Sequence, residues 1–63
     1  MTGEEFKRIR EARGETRIEF ARALGYEGSD DTVQRLMRRI EAGDKDITAE
    51  VAIKAIALSH GRK

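Results

Sequence analysis

The sequence predicts an all-α fold from three observations: a composition that favours helix, apolar residues at helical spacing, and recurring helix start and stop residues. The 63 residues include no Pro and are rich in Ala, Arg, Glu, Leu and Ile, a set that favours helix overall. No segment alternates β-branched and polar residues as a strand does. We therefore expect one compact domain over residues 1–63, built from four to five helices. A chain this short buries only about 60% of its unfolded surface, so pairing with a second copy would stabilise it.

The first two helices are predicted from matching start signals. Thr2 is followed three residues later by Glu5, and Thr16 by Glu19, which is the capping-box spacing. We expect the first helix to end at Gly14 and the second at Gly25. The expected core residues are Phe6 and Ile9 from the first helix, and Phe20, Ala21 and Leu24 from the second.

An apolar stripe predicts the third helix. Four apolar residues recur at i, i+3, i+4 and i+7, so they share one face of a helix. They are Val33, Leu36, Met37 and Ile40. The helix should end at Gly43, and it should begin between Ser29 and Thr32 because every residue from 29 to 32 is a competent N-cap.

The opposite face of this helix is polar and basic. Gln34, Arg35 and Arg38 point away from the apolar stripe, and Arg39 lies nearer its flank. Ala42 closes the exposed face with a methyl group small enough to permit close approach to another surface. The alternative is that these arginines form an ordinary solvated face, as we expect for Arg8, Arg10 and Arg13 of the first helix.

The fourth helix, expected from about residue 48 to 59, begins at Thr48 and carries more apolar surface than one core contact requires. One side holds Val51, Ala52, Ala55 and Leu58, and the other holds Ile53, Ile56 and Ala57, extended by His60. Either the helix buries both sides within the monomer, or the second side pairs with another copy of the chain. We favour the dimer, with an interface formed by Ile53, Ile56, Ala57 and His60.

Composition and charge limit how this chain could bind a polyanion or a membrane. The chain has no Cys, and its 13 Lys and Arg against 12 Asp and Glu give a formal net charge of +1. Any attraction to a polyanion must therefore depend on where the arginines lie. No apolar run approaches the roughly 20 residues of a membrane span, and the N-terminus lacks the layout of a signal peptide. We expect a soluble cytoplasmic protein with no membrane partner.

Catalysis and metal binding find little support in the sequence. Ser29 and Ser59 have no accompanying acid–base pattern, no glycine-rich phosphate loop is present, and His60 is the only histidine. Glutamates and arginines alternate as they do in surface pairs along helices. We expect no enzyme, no cofactor and no metal site.

Two short helices joined by a Gly-containing turn, the second exposing arginines, match the helix-turn-helix plan over about residues 16–42. The segment GETRIEFARALG, residues 14–25, resembles the second-helix signature of the phage repressor and Cro-like (lambda-repressor-like, XRE) family. In that signature Thr16 is the polar cap, Arg17 follows it, and the Phe20-Ala21 and Leu24-Gly25 pairs complete the pattern.

The second half of the chain is similar to the same family. Residues 40–43, Ile-Glu-Ala-Gly, followed by Lys45 and Ile47, look like the end of its recognition helix and the basic loop beyond. Residues 51–58 resemble its next core helix. The match covers nearly the whole chain and departs from the family in a longer connection between Gly25 and Glu41.

The resemblance implies a homodimer that binds a palindromic operator through the DNA major groove and represses transcription, its own operon being one target. Family members of this size include phage regulators, antitoxins, restriction-modification controllers and anti-CRISPR-associated repressors, in bacterial or phage-infected cells. The alternative is an antitoxin-like module that uses Ile53 and Ile56 to bind another protein such as a toxin, with DNA binding secondary.

The candidate base-reading residues lie on the third helix. An arginine fork can donate twice to guanine, and glutamine suits adenine. We assign base reading to Gln34, Arg35, Arg38 and Thr32, the last through a thymine methyl group or a phosphate. Asp31 either caps the helix or accepts a hydrogen bond from a cytosine amine, and we favour the cap.

Phosphate contacts are expected around these readers. Arg39 would reach the backbone from the helix flank, and the family resemblance implies a phosphate contact for Arg17 at the start of the second helix. The remaining candidates are Lys45, Ser29 and Tyr26. Glu41 should be structural and fix the end of the recognition helix, by hydrogen bonding or by pairing with a nearby arginine.

Overall fold

The computed structural model describes residues 1–61, which form four helices and no strand. They are α1 (Gly3–Ala12), α2 (Arg17–Leu24), α3 (Asp30–Ala42) and α4 (Ala49–Gly61). The all-α prediction is confirmed for this part of the chain, with four helices. None of the helices within residues 1–61 has both the length and the apolar character needed to cross a membrane.

Both predicted capping boxes are present. The hydroxyl of Thr2 accepts a hydrogen bond from the backbone N–H of Glu5 at 3.1 Å, and the Glu5 carboxylate accepts from the Thr2 N–H at 2.9 Å. Thr16 and Glu19 form the same reciprocal pair at 3.1 and 2.9 Å. These bonds satisfy backbone donors that a helix start leaves unpaired, which explains why α1 and α2 begin where they do.

The structure shows which of the four candidate residues caps α3. Ser29 is the N-cap, and its hydroxyl accepts from the Thr32 N–H at 3.3 Å. The expectation that Asp31 caps this helix is therefore wrong, because Asp31 lies inside the first turn. In α4 the predicted cap is correct, since Thr48 accepts from the Val51 N–H at 3.2 Å.

The ends of α2 and α3 share one geometry. Gly25 and Gly43 both adopt left-handed backbone, with φ of 97° and 84°, a conformation that glycine enters without a Cβ penalty. The next backbone N–H then bonds back into each helix, from Tyr26 to the Ala21 carbonyl and from Asp44 to the Arg39 carbonyl. α4, predicted to reach about residue 59, is helical through Gly61, the last residue that the structure describes.

The core lies where α1, α2 and α3 meet, with α4 packed mainly against α1 and less extensively against α2. The Phe6 and Phe20 rings meet at its centre, 5.1 Å apart with a 57° tilt, a favourable arrangement for aromatic rings. Ile9 and Leu36, also expected in the core, are only partly buried and pack at its edge. The buried residues are Phe6, Phe20, Ala21, Leu24, Val33, Met37, Ile40 and Ala55.

Gly3 sets how closely α1 approaches the last turn of α3. A Cβ atom at this position would collide with the Ile40 carbonyl oxygen and would lie 2.9 Å from that of Glu41. The start of α1 therefore rests directly on backbone carbonyls near the end of α3. This favours the contact electrostatically, because a helix start is partially positive and a helix end partially negative.

α4 buries only one of its two apolar sides. Ala55 is fully buried and Leu58 is partly buried, whereas Ile53 and Ile56 are 67% and 45% exposed. Arg13, at the end of α1, donates a hydrogen bond to the Leu58 carbonyl oxygen of α4 at 2.8 Å and so links the two helices. The alternative in which α4 buries both sides within the monomer is wrong for residues 1–61.

Candidate nucleic-acid interface

The sequence predicts a basic outward face for α3, and the structure exposes it. Arg35, Arg38 and Arg39 are exposed, as is Thr32, and Gln34 is partly exposed. Within residues 1–61, the three arginines take part in no ion pair. Their guanidinium groups are therefore available to an external ligand, and the buried side of the same helix holds them on a fixed backbone.

Glu41, near the end of α3, anchors the helix to both preceding helices. Its side chain is only 4% exposed and accepts from Arg10 Nε at 2.7 Å and from Arg17 Nε at 3.1 Å. Glu41 thus has the structural role that we expected, because it forms one ion pair with Arg10 and a second with Arg17. Because charge-assisted hydrogen bonds in a partly buried site are directional, they fix the last turn of α3 relative to α1 and α2.

Arg10, in the last turn of α1, and Arg13, the C-cap that follows it, are not the solvated residues that we expected. Arg10 is 11% exposed because it bonds Glu41 and also the Glu15 carbonyl oxygen at 3.0 Å. Arg13 is 17% exposed and pairs with Glu15 at 2.8 Å. The expectation is wrong because Arg10 also bonds Glu41 of α3 and Arg13 also bonds the Leu58 carbonyl of α4. Arg8, which pairs along α1, remains 69% exposed.

Arg17 occupies the first turn of α2, at the position predicted to contact phosphate. Its Nε is committed to Glu41, and its side chain is 31% exposed. The ion pair brings the start of α2 next to the last turn of α3. Lys45, the other predicted phosphate ligand beyond this turn, is exposed in the connection to α4.

Arg22 organises the five-residue connection between α2 and α3, residues 25–29. It donates to the carbonyl oxygens of Tyr26 and Gly28 at 3.1 and 2.8 Å, and to the Asp30 carboxylate at 3.0 Å. Sequence reasoning missed this residue. The available signal was a basic residue in the last turn of a helix, where it can bond nearby carbonyls.

The two turn residues predicted to contact phosphate are both engaged in the fold. Tyr26 is half-buried against the core, and burial raises the pKa of its hydroxyl. Ser29 caps α3 and donates its hydroxyl proton to the Thr32 hydroxyl at 3.0 Å. Any DNA contact by Ser29 would therefore share an oxygen that already stabilises the start of α3.

The exposed side of α4 carries the residues predicted for the dimer interface. Ile53, Ile56, Ala57 and His60 are all exposed in the single chain. An open groove of about 650 Å³ borders this surface between α1 and α4. Its lining includes Met1, Ile9, Ala52 and Ile56, with Arg8 and Glu5.

Within residues 1–61, no three His, Cys, Asp or Glu side chains cluster as a metal site would require.

A comparison with protein-family models finds no match for this chain, and comparisons with curated proteins and with solved structures find none either.

Proposed function

We propose that this protein is a sequence-specific DNA-binding regulator of the phage repressor and Cro-like class, with α2 and α3 as its helix-turn-helix. The observation that carries the proposal is the exposed face of α3, where Arg35, Arg38 and Arg39 make no ion pair with residues 1–61. An exposed basic helix of about this length fits the B-DNA major groove. The near-zero net charge makes this local concentration of arginine the main source of attraction.

Firm attachment of α3 supports the same proposal. Its buried face packs into the core, Glu41 ties its last turn to α1 and α2, and Arg22 holds its first turn through Asp30. A reader held at both ends loses less conformational freedom when it binds. Such preorganisation favours recognition of base edges over loose attraction to phosphates.

The proposed DNA contacts divide into two sets. Arg35 and Arg38 donate to guanine, Gln34 bonds adenine, and Thr32 contacts a thymine methyl group or a phosphate. Phosphates are bound by Arg17, Arg39 and Lys45, with Ser29 and Tyr26 in the connection. Arg17 donates its Nε–H to Glu41, and its two terminal guanidinium nitrogens are the proposed donors to phosphate.

A homodimer would place two α3 helices on one face of DNA. The exposed side of α4, with Ile53, Ile56, Ala57 and His60, is the proposed contact, because large exposed apolar side chains favour association. Two-fold symmetry would match a palindromic operator whose half-site centres lie about 34–36 Å apart. Repression, including repression of its own operon, follows if the operator overlaps a promoter.

The test is selection from random duplex DNA at fixed salt, followed by footprinting of the enriched site. We expect a palindrome, protected on one face of the duplex. Arg35→Ala and Arg38→Ala should remain folded and lose preference at particular base pairs, whereas Lys54→Ala, on a half-exposed lysine of α4, should bind as the parent does. Failure of the parent to enrich any sequence would refute the proposal.

A second candidate function is a protein-binding module of the antitoxin type. The exposure of Ile53 and Ile56 beside the groove between α1 and α4 favours it, since apolar patches bordering grooves are common protein-contact sites. Sedimentation of Ile53→Asp separates the possibilities. Loss of a parent dimer supports self-association, whereas a monomeric parent that still binds DNA leaves this surface for a different protein.

A further inference from the structure

Asp31 lies on the outward face of α3, in the first turn, where its negative charge favours the partially positive helix start. Ser29 provides the cap, and the neighbouring Asp30 pairs with Arg22 at 3.0 Å. Within residues 1–61, the exposed Asp31 carboxylate takes part in no ion pair and no side-chain hydrogen bond. Its oxygens are therefore free to accept hydrogen bonds from a ligand.

Helical spacing puts Asp31 in line with the proposed base readers. Residues 31, 35, 38 and 42 are separated by four, three and four positions, so they follow one another along a single stripe of α3. That stripe lies opposite the buried Val33 and Met37. A rise of 1.5 Å per residue places Asp31 about 6 Å along the axis from Arg35, or about two base-pair steps.

A carboxylate discriminates among base edges because it can only accept hydrogen bonds. In the major groove, guanine and thymine present acceptors to a side chain, and adenine presents an acceptor beside its amine. Cytosine presents its amine alone. Resting on the DNA-binding function proposed above, we propose that Asp31 is a specificity-determining residue that selects cytosine next to the bases read by Arg35 and Arg38.

The same charge acts against binding elsewhere. On a non-cognate sequence the Asp31 carboxylate faces base acceptors and nearby phosphates, and it receives no hydrogen bond in return. Asp31 therefore lowers the affinity for random DNA more than the affinity for the operator. Removing it should raise binding to random duplexes, an effect that a purely structural role would not produce.

The experiment repeats the random-duplex selection with the parent, Asp31→Ala, Asp31→Asn and a control, Asp46→Ala, which removes an exposed carboxylate beyond α3. We expect the parent to enrich cytosine at one position of each half-site by about tenfold. Asp31→Ala should lose the preference at that position alone, and Asp31→Asn should change it to adenine, which an amide bonds through two atoms.

Each result has a distinct meaning. An unchanged preferred sequence for Asp31→Ala, or a uniform loss of preference in a protein with the parent's circular dichroism spectrum, would overturn the role of Asp31 while leaving DNA recognition intact. A parent that enriches no sequence would overturn DNA recognition itself, and the role of Asp31 with it. The control should reproduce the parent's sequence at every position.

Discussion

α3 and α4 each contain 13 residues, yet they present opposite kinds of surface to solvent. α3 buries Val33, Met37 and Ile40 and turns a basic face outward, whereas α4 buries only Ala55 and leaves two isoleucines exposed. The difference follows from position, because α3 packs against both α1 and α2 while α4 lies mainly on α1. One domain thus carries a polar outward face and an apolar one, and these suit different partners.

The attachment of the two helices differs as much as their surfaces. α3 is held by core side chains and by Glu41, which is 4% exposed. The side-chain ion pair within α4, Lys54 with Glu50, lies in solvent with Glu50 79% exposed. We therefore expect substitutions of the buried residues of α3 and of Glu41 to affect folding strongly, and substitutions on the exposed side of α4 to affect it little.

The largest expected effect comes from the buried face of α3. Met37→Ala removes a fully buried side chain and should lower the free energy of unfolding by about 3 kcal/mol. Ile53→Ala, in α4, should change it by less than about 0.5 kcal/mol when the chain is monomeric. Urea denaturation at low protein concentration measures both. Equal losses would mean that the outer side of α4 is buried after all.

The second effect tests the ion pairs of Glu41. Glu41→Ala leaves Arg10 and Arg17 without their carboxylate partner and should cost about 2 kcal/mol, less than a fully buried pair because Arg17 is partly exposed. The matched change in α4, Glu50→Ala, should cost less than about 0.5 kcal/mol. Thermal and urea unfolding of the two variants give the comparison. A loss for Glu50→Ala as large as that for Glu41→Ala would contradict the proposed difference in attachment.

The third effect concerns the close contact at Gly3 between the start of α1 and the last turn of α3. Gly3→Ala places a methyl group against the carbonyl oxygens of Ile40 and Glu41, and overpacking of this kind should cost about 1–2 kcal/mol. Gly61→Ala adds the same atom to α4, where nothing lies within 4 Å. It should cause no loss of stability. A stable Gly3→Ala protein would show that α1 can move away from α3 without penalty.

The smallest effect is a pH dependence at the junction of α1 and α4. Hydrogen bonds from Arg13 lower the pKa of the Glu15 carboxyl, while Arg13 also holds the Leu58 carbonyl of α4. A carboxyl whose pKa is lowered by folding stabilises the protein above its unfolded pKa, and this contribution disappears as the pH falls through the folded pKa. Glu15→Gln should therefore weaken the loss of stability below about pH 4.

Acid titration followed by circular dichroism measures that change. The control is Glu27→Gln, which alters an exposed carboxyl in the connection between α2 and α3. It should follow the parent's acid transition. If Glu15→Gln also follows the parent's transition, the Glu15–Arg13 pair makes no pH-dependent contribution to stability.

Local signals made most of the fold predictable from the sequence. The capping boxes of α1 and α2 and the apolar stripe of α3 involve residues within seven positions of one another, so spacing alone reveals them. The tight approach at Gly3 and the partners of Arg10 and Arg13 join distant segments. Periodicity carries no information about such contacts, and these were the features that the sequence did not reveal.

The candidate site divides in the same way. The outward direction of Arg35 and Arg38 follows from helical spacing, and the structure exposes both. The sequence does not specify where α3 begins, because four consecutive residues can cap a helix. In the structure Ser29 is the cap, so Asp31 is not needed in that role. The arrangement of Arg22 depends on the conformation of the connection, which sequence spacing does not specify.

The most direct test of the central claim, that the outward face of α3 reads DNA, is fluorescence anisotropy with the selected duplex and a scrambled duplex over a range of salt. The parent should prefer the selected duplex by at least about a thousandfold at physiological salt. Replacing both Arg35 and Arg38 by Ala should remove most of that preference, whereas Lys54→Ala should retain it. Equal binding of both duplexes by the parent, or an undiminished preference in the double variant, would contradict the account.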